Sequence, residues 1–172
     1  MNKLFSPFLV LVILVAFAPA EGLANATLFS KLEGDFRGRG MSITKTDGKK
    51  ERVSCQLSNT YEKRTGKLKM KGKCASSQGS SQVRGEIIDK NGRVSGSYIS
   101  LRAKVEMLKS TGKSNRKSVT IFSSFRDVSN QKIYKIKQVL QLRGGGFHAN
   151  FFTFDKNSNK YKSAGVMSFK RK

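Results

Sequence analysis

The chain has 172 residues, with 34 Lys and Arg against 11 Asp and Glu, and its formal net charge is +23. One His and two Cys are too few for a protein-built zinc site. The acidic residues stand mostly in turns or beside bases and form no clear carboxylate pair of the kind that glycoside hydrolysis requires.

The N-terminus has the layout of a secretory signal peptide. A positive start leads into an apolar run at 4–18, and a small-x-small pattern ends at Ala20. The run is shorter than the roughly 20 apolar residues of a spanning helix. We predict cleavage of residues 1–20, with Ala24 and Ala26 as later alternatives. Loss of one lysine takes the charge from +23 to +22. The mature protein is then periplasmic or secreted, without a transmembrane segment.

The remainder, 28–172, is predicted to be a single basic domain, since its length suits one core and it contains no Pro-rich linker. Short alternating runs separated by turn residues are typical of antiparallel sheets. Asp-Gly at 47–48 and Asn-Gly at 91–92 mark tight hairpin turns. In chain order, the predicted strands are 35–44, 51–57, 67–74, 82–88, 93–101, a weaker 103–108, 118–125, 133–143, 147–154 and 164–169.

The strand at 67–74 has the clearest period of two, with Leu68, Met70 and Cys74 on the inner face. Cys55 falls on the inner face of the strand before it. Two cysteines in an exported chain predict one disulfide, because the compartment is oxidising. We therefore predict a structural Cys55–Cys74 bridge.

Eight to ten strands with short connections, and no helical apolar stripe after the signal, indicate an all-β fold. A closed antiparallel barrel is favoured because closure removes exposed strand edges. A two-sheet sandwich is the alternative.

Four short motifs occur between Leu32 and Tyr98: Phe36-Arg37-Gly38-Arg39-Gly40, Glu51 with Cys55, Cys74-Ala75-Ser76, and Gly92 with Ser95-Gly96. With these motifs, the segment resembles a family of small exported proteins from Gram-negative bacteria. Its opening is also similar to the Gly-x-Trp start of calycin barrels such as lipocalins and avidins, with Phe36 in place of the Trp. This resemblance implies a secreted calycin-like barrel with a Cys55–Cys74 bridge, and it implies no reaction.

Motifs for catalysis are weak. The stretch 110–114 looks like the end of a phosphate-binding loop but lacks its first glycine. His148 has no partner at a spacing that predicts a catalytic pair, and Asp35, Asp127 and Asp155 are isolated carboxylates. We predict no enzymatic activity, no cofactor and no metal.

The charge pattern predicts an anion-binding outer face. Alternation directs four lysines of one strand outward, and basic residues of the neighbouring strand and turn lie beside them. The expected partner is an anionic envelope component (lipopolysaccharide, anionic lipid or acidic polysaccharide) or a host protein. Nucleic acid is less favoured, because few aromatic residues lie near the row. The predicted site consists of Lys50, Arg52, Lys63, Arg64, Lys67, Lys69, Lys71 and Lys73.

Two other hypotheses remain. A calycin-like carrier would hold a small apolar ligand between Tyr134, Leu140, Phe147 and Phe151, unless side chains fill the barrel. A secreted protease inhibitor or host-directed effector would use loops on a rigid scaffold. Those predicted loops are Thr60–Gly66, Lys109–Lys117 and Asp155–Lys162. Salt dependence distinguishes the anion binder from the carrier.

Overall fold

The computed structural model describes residues 28–43, 48–101 and 104–172, with only the backbone described at 98–101. The predicted signal peptide, its cleavage positions and Asp47 of the first predicted turn lie outside these residues. Within the described part of the chain, no helix is long and apolar enough to cross a bilayer.

The described residues form one closed antiparallel barrel, which confirms the all-β prediction and makes the sandwich alternative wrong. Each strand pairs with its neighbours in the chain, and β1 pairs with β10 to close the ring. The strands are β1 (Gly34–Ile43), β2 (Lys50–Glu62), β3 (Lys67–Ser76), β4 (Gly79–Lys90), β5 (Arg93–Leu101), β6 (Val105–Ser114), β7 (Ser118–Asp127), β8 (Ile133–Arg143), β9 (Gly146–Asp155) and β10 (Lys160–Arg171).

Local sequence fixes several of these elements. Asn91 and Gly92 both have positive φ, at 55° and 82°, as the predicted tight turn between β4 and β5 requires. In β3, Leu68 and Met70 are fully buried while Lys71 and Lys73 are exposed, so the predicted alternation is confirmed.

The predicted polar loop at Lys109–Lys117 is wrong, because β6 continues to Ser114. Its backbone pairs with β7 from Val105 to Ser114, and a ladder of this kind does not need apolar side chains. The other two predicted loops are also shorter than expected. Residues 60–62 belong to β2, and residues 160–162 belong to β10.

A one-turn helix at residues 28–31 was not predicted from the sequence. Leu28, Phe29 and Leu32 of this segment are at most 1% exposed and seal one end of the barrel. Asn59 of β2 donates from Nδ2 to the carbonyl oxygen of Leu32 at 2.8 Å, which holds the segment in place. One turn is too short to show a helical periodicity, so the pattern contained no signal for it.

The sealed end and the middle of the barrel are filled by aromatic rings. Phe147 stacks on Phe169 with centroids 4.6 Å apart, and Phe36 meets Phe147 edge-on at 5.1 Å. Gly38 lies opposite Phe169 on the neighbouring strand, where a Cβ would collide with the ring. The unfilled space therefore lies at the opposite end.

Candidate functional site

The open end of the barrel contains a cavity of about 460 Å³. This volume lies within the range of pockets that hold small molecules. Strands β1 to β4 and β8 to β10 supply its wall, and most of the lining is apolar. The apolar lining includes Val53, Leu57, Val83, Ile136, Phe151 and Met167.

A disulfide bond joins Cys55 to Cys74, which confirms the predicted bridge. The two residues face each other directly across the β2–β3 pair, and both line the cavity. The bridge fixes the register of the two strands that form one side of the cavity.

Polar groups lie on both sides of the interior. Ser76 and Ser81 line the cavity near the bridge, and Gln138 lines it on the opposite side. The Ser97 hydroxyl on β5 donates to Oε1 of Gln138 on β8 at 2.5 Å, and both side chains are buried. The Ser123 hydroxyl contacts that of Ser110 at 3.3 Å, and Ser110 donates to the carbonyl oxygen of Gly96.

Among the described residues that line the cavity, Glu51 is the only one with a charged side chain. It lies at the mouth, where its Oε1 accepts hydrogen bonds from the Ser77 hydroxyl and the Gln78 amide, both at 3.0 Å. The described residues of the deeper wall are therefore uncharged.

The predicted interior residues divide between the cavity and the core. Phe151 lines the cavity, as the carrier hypothesis expected. Phe147 and Leu140 are at most 1% exposed and belong to the filled core, and Tyr134 is not among the lining residues. The inward prediction is confirmed for Leu140, Phe147 and Phe151, whereas Tyr134 lies along a groove with Ile133 and Lys135. Alternation contains no information on depth along the barrel axis.

The predicted lysine row lies on the outer face of β3 but is not uniform. Lys67 forms an ion pair with Glu86 at 3.3 Å, and Lys69 pairs with Glu62. The pKa of Lys69 is raised, first by its hydrogen bond to Glu62 and then by the charge of that carboxylate. The positive charges of Lys67 and Lys69 are thus largely neutralised by carboxylates on the two neighbouring strands.

The other predicted basic residues are exposed around this row. Lys71 and Lys73 have no ion pair within the described part of the chain. Lys50 and Arg52 point outward at the start of β2. Lys63 and Arg64 are exposed in the turn between β2 and β3, at the sealed end. The eight residues therefore do not form one compact site.

Barrel closure assembles a basic surface that the sequence analysis missed. The register places Lys170 beside Arg37, Arg37 beside Gln56, and Gln56 beside Lys73 across four strands. A shallow groove follows this line. Asp35 is exposed on β1, two residues before Arg37. We call this surface the basic wall; it consists of Arg37, Arg39, Lys71, Lys73 and Lys170.

The sequence pattern predicts only part of the basic wall. Arg37 and Arg39 alternate with inward-facing Phe36 and Gly38, which indicates that they point outward. Their contact with Lys170 depends on the pairing of the first strand with the last, which local patterning does not specify.

A second outer surface, on β7 to β10, combines aromatic rings and lysines. Lys137 Nζ lies over the rings of Phe122 and Phe152, at 5.8 and 5.2 Å from their centroids. Phe154 and Tyr161 meet edge-on at 5.3 Å. Phe151 lines the cavity while Phe152 lies under Lys137, so the two rings face opposite sides of β9.

The other residues that the sequence offered for catalysis or metal binding lie in separate parts of the barrel and do not form a common site. The stretch 110–114 lies inside strand β6, and His148 is half-buried on the outer side of β9. Asp155 accepts hydrogen bonds from Lys162 and Ser158, and the ammonium of Lys162 is the first cause of its pKa falling to about 2. Within the described residues, no three His, Cys, Asp or Glu side chains are grouped to hold a metal ion.

Comparison with known proteins shows the fold. The structure resembles the crystal structure of Rv2717c from M. tuberculosis, with a TM-score of 0.67 and 10% identity, over 86% of this chain and 97% of that one. It also resembles the S-type phycobiliprotein lyase CPES from Guillardia theta, with a TM-score of 0.57 and 8% identity, over 90% and 98% of the two chains. The fold is a small calycin-like barrel. No protein-family model and no curated protein matches the chain.

Proposed function

We propose that the protein is an exported, non-catalytic carrier that holds a small, mainly apolar ligand in the open end of its barrel. The observation that carries this proposal is the cavity of about 460 Å³, which is apolar on most of its wall and closed at its far end by packed rings and the 28–31 helix. Burial of apolar surface in such a cavity stabilises binding by about 25 cal/mol per Å².

One feature supports a non-catalytic function and a second feature supports export. The deep cavity wall has no charged side chain among its described residues, so it presents no nucleophile with an orienting base. The Cys55–Cys74 disulfide suits an oxidising compartment, as the predicted signal peptide implies. The export and the Gram-negative family stay predictions from the sequence.

The first test fills the cavity. Val53 lines it from β2, and Val53→Phe places a ring in the space that a ligand would occupy. We expect the fluorescence titration of a neutral apolar probe, N-phenyl-1-naphthylamine, to show affinity lowered by about tenfold or more, a loss of ~1.4 kcal/mol.

The matched control is Ser54→Phe, which adds the same ring one residue later on the exposed face of β2. It should leave probe affinity within about twofold of wild type. Equal affinity in wild type and Val53→Phe, with both proteins folded by circular dichroism, would place the probe outside the cavity and refute the carrier function.

A second candidate function rests on the basic wall: binding of an anionic envelope component or host partner. Its five cations are exposed, and the register brings three of them into one line across four strands. Anionic groups bound there would gain from several neighbouring charges at once, an effect that salt weakens.

The test compares two double variants with the same change in net charge. Lys71→Gln with Lys73→Gln removes cations that have no ion pair with any described residue, whereas Lys67→Gln with Lys69→Gln removes cations already paired with carboxylates. Binding is measured to lipopolysaccharide, anionic vesicles, acidic polysaccharide and DNA, at low salt and at about 0.15 M. We expect the first variant to lose about tenfold or more at low salt, and the second clearly less.

Two results would count against the basic wall. Equal losses in both variants would mean that total charge, rather than this surface, drives binding. Binding to all four anions that disappears at about 0.15 M salt would likewise mark the attraction as generic.

A further inference from the structure

The surface of aromatic rings and lysines on β7 to β10 lies beside the open end of the barrel. Strand β8 begins and β9 ends at this end, where β2 also begins. Ile136 and Phe151, on the inner side of β8 and β9, line the cavity. We call the outer surface the mouth patch; it consists of Phe122, Ile133, Lys135, Lys137, Phe154 and Tyr161.

Contacts between side chains join the strands of the mouth patch. Tyr161 meets Phe122 edge-on with centroids 5.7 Å apart, and it meets Phe154 edge-on at 5.3 Å. Lys137 Nζ lies 5.8 Å from the centroid of Phe122. Lys135 Nζ lies 5.4 Å from the centroid of Phe154. Contacts of this kind stabilise a sheet, so the rings by themselves do not indicate a binding surface.

Exposed apolar side chains at this end of the barrel are not explained by stability of the sheet. Ile133, the first residue of β8, is 47% exposed, and Val128, in the turn before it, is 49% exposed. Phe122 is still 41% exposed despite its ring contacts. Apolar side chains that are exposed together, beside the mouth of a cavity, are typical of a surface that contacts a partner or a membrane.

The mouth patch is also positively charged. Lys135 and Lys137 form no ion pair with any described residue. A shallow groove beside Phe154 is lined by Lys135 and two further exposed lysines, Lys132 and Lys156. Cations grouped in this way raise the local concentration of anions.

The acidic side chains of this half of the chain do not cancel that charge. Residues 104–172 contain only three of them. Glu106 forms an ion pair with Arg126 at 3.3 Å, and Asp155 forms one with Lys162. Asp127 accepts hydrogen bonds within its own turn. The lysines of the mouth patch therefore keep their positive charge and fit an anionic partner.

We propose that the mouth patch docks the protein on the surface of an anionic lipid bilayer, with the mouth of the cavity beside the membrane. Phe122 and Ile133 enter the headgroup region, where their apolar surface leaves water. Lys135 and Lys137 contact lipid phosphates. Tyr161 lies between an apolar and a polar environment, which is the position that tyrosine favours at membrane surfaces.

A bilayer fits the mouth patch better than a nucleic acid does. Bases bind by stacking on the faces of aromatic rings. The rings of Phe122, Phe154 and Tyr161 meet edge-on, and Ile133 is aliphatic. The inference goes beyond the carrier function, because docking is measured with an empty cavity.

The chain contains no tryptophan, so a single introduced Trp reports on its own position. Phe122→Trp places the reporter in the mouth patch, and the control Gln56→Trp places it on the exposed face of β2, between Arg37 and Lys73 of the basic wall. Both mature, oxidised proteins are checked by circular dichroism. They are then titrated at about 0.15 M salt with vesicles of phosphatidylethanolamine and phosphatidylglycerol that have brominated acyl chains. We expect Phe122→Trp fluorescence to shift to shorter wavelength and to be quenched, and Gln56→Trp fluorescence to stay unchanged.

Two double variants with the same change in net charge test the lysines by vesicle co-sedimentation. Lys135→Gln with Lys137→Gln should weaken vesicle binding by about tenfold or more. Lys71→Gln with Lys73→Gln removes two exposed cations from the basic wall and should weaken it clearly less.

A pair of single variants tests the apolar contact. Ile133→Ser should weaken vesicle binding by about threefold or more, because its side chain no longer gains from leaving water. The control is Val166→Ser on the outer face of β10, where the aliphatic side chain is 41% exposed. It should stay within about twofold of wild type.

Four results would overturn the inference. Absence of vesicle binding by wild type would remove the docking but leave the carrier function, which the N-phenyl-1-naphthylamine titration measures separately. A shift in Gln56→Trp without one in Phe122→Trp would assign docking to the basic wall. Equal losses in the two double variants would mean that total charge drives attachment. Binding of single-stranded DNA that shifts Phe122→Trp fluorescence, without vesicle binding at the same salt, would assign the patch to nucleic acid.

Discussion

At the scale of single residues, the glycines of β1 decide how closely the barrel packs. Gly38 and Gly40 follow Phe36 at alternate positions, so all three face inward. A Cβ on Gly40 would meet the carbonyl oxygen of Val166 and, at 2.6 Å, the sulfur of Met167. Both contacts lie on β10, the strand that closes the barrel, and Met167 lines the cavity.

Gly40→Ala should therefore destabilise the protein by about 1–3 kcal/mol, because the added methyl has no space and must displace backbone. Urea unfolding followed by circular dichroism measures the change. Gly144→Ala is the matched control, since nothing lies within 4 Å of its added Cβ, and it should stay within about 0.5 kcal/mol of wild type. A tolerated Gly40→Ala would show that β1 and β10 can separate without cost.

At the scale of elements, the β2–β3 hairpin is the best specified part of the molecule. Its register sets Cys55 opposite Cys74 and Leu57 opposite Gly72, and the disulfide joins the strands directly. Alternation, the oxidising compartment and the family resemblance all predict the same pairing from sequence. The structure confirms it and shows that the bridge also lines the cavity.

Removal of the bridge should lower stability mainly by restoring freedom to the unfolded chain. The two cysteines are 19 residues apart, and a loop of that order contributes about 3 kcal/mol in the chain-entropy model. We expect Cys55→Ala with Cys74→Ala to lower the midpoint of thermal unfolding by roughly 10 °C.

Reduction of the wild-type protein is the control for this pair of substitutions and should lower the midpoint by a similar amount. If mass spectrometry of the oxidised protein finds two free thiols, the bridge does not form in solution.

Among the described residues, β5 and β6 have the fewest paired positions of any two neighbouring strands in the barrel. In the described residues these strands pair only through Arg93 with Lys113 and Val94 with Gly112. β6 then bulges near Met107, which is 50% exposed. The mostly polar side chains of this segment predict a weak strand followed by a loop. The backbone ladder to β7 makes this segment a strand nevertheless.

At the scale of the whole molecule, closure of the barrel makes one group of strands basic on its outer surface and mainly apolar on its inner surface. The strands β1, β2, β3 and β10 carry the basic wall on their outer side and line the cavity on their inner side. Period-two alternation predicts this division for each strand separately. The adjacency of Arg37 and Lys170, however, joins residues from the first and last strands.

The predicted anion site shows the limit of local patterning. Eight basic residues were selected because they are close in the chain or on adjacent strands. Cross-strand neighbours then changed their charge environment: Glu62 and Glu86 pair with Lys69 and Lys67. The carboxylates are outward residues of β2 and β4. The register sets Glu62 opposite Lys67 and Glu86 opposite Lys69. Each ion pair nevertheless forms with the other, diagonal lysine, which only the side-chain positions show.

The sequence alone determined the all-β class, most of the strands, the direction of their side chains, the Asn91–Gly92 turn and the cysteine pairing. These follow from interactions between residues close in the chain or on consecutive hairpin strands, where period two and turn chemistry act locally. Only the tertiary structure decided that the ring closes through β1 and β10, that the 28–31 helix seals one end, and that a cavity remains at the other. It also decided that Gln138 meets Ser97. Depth along the barrel axis and contacts between distant strands depend on how all ten strands stagger together, and no local pattern encodes that stagger.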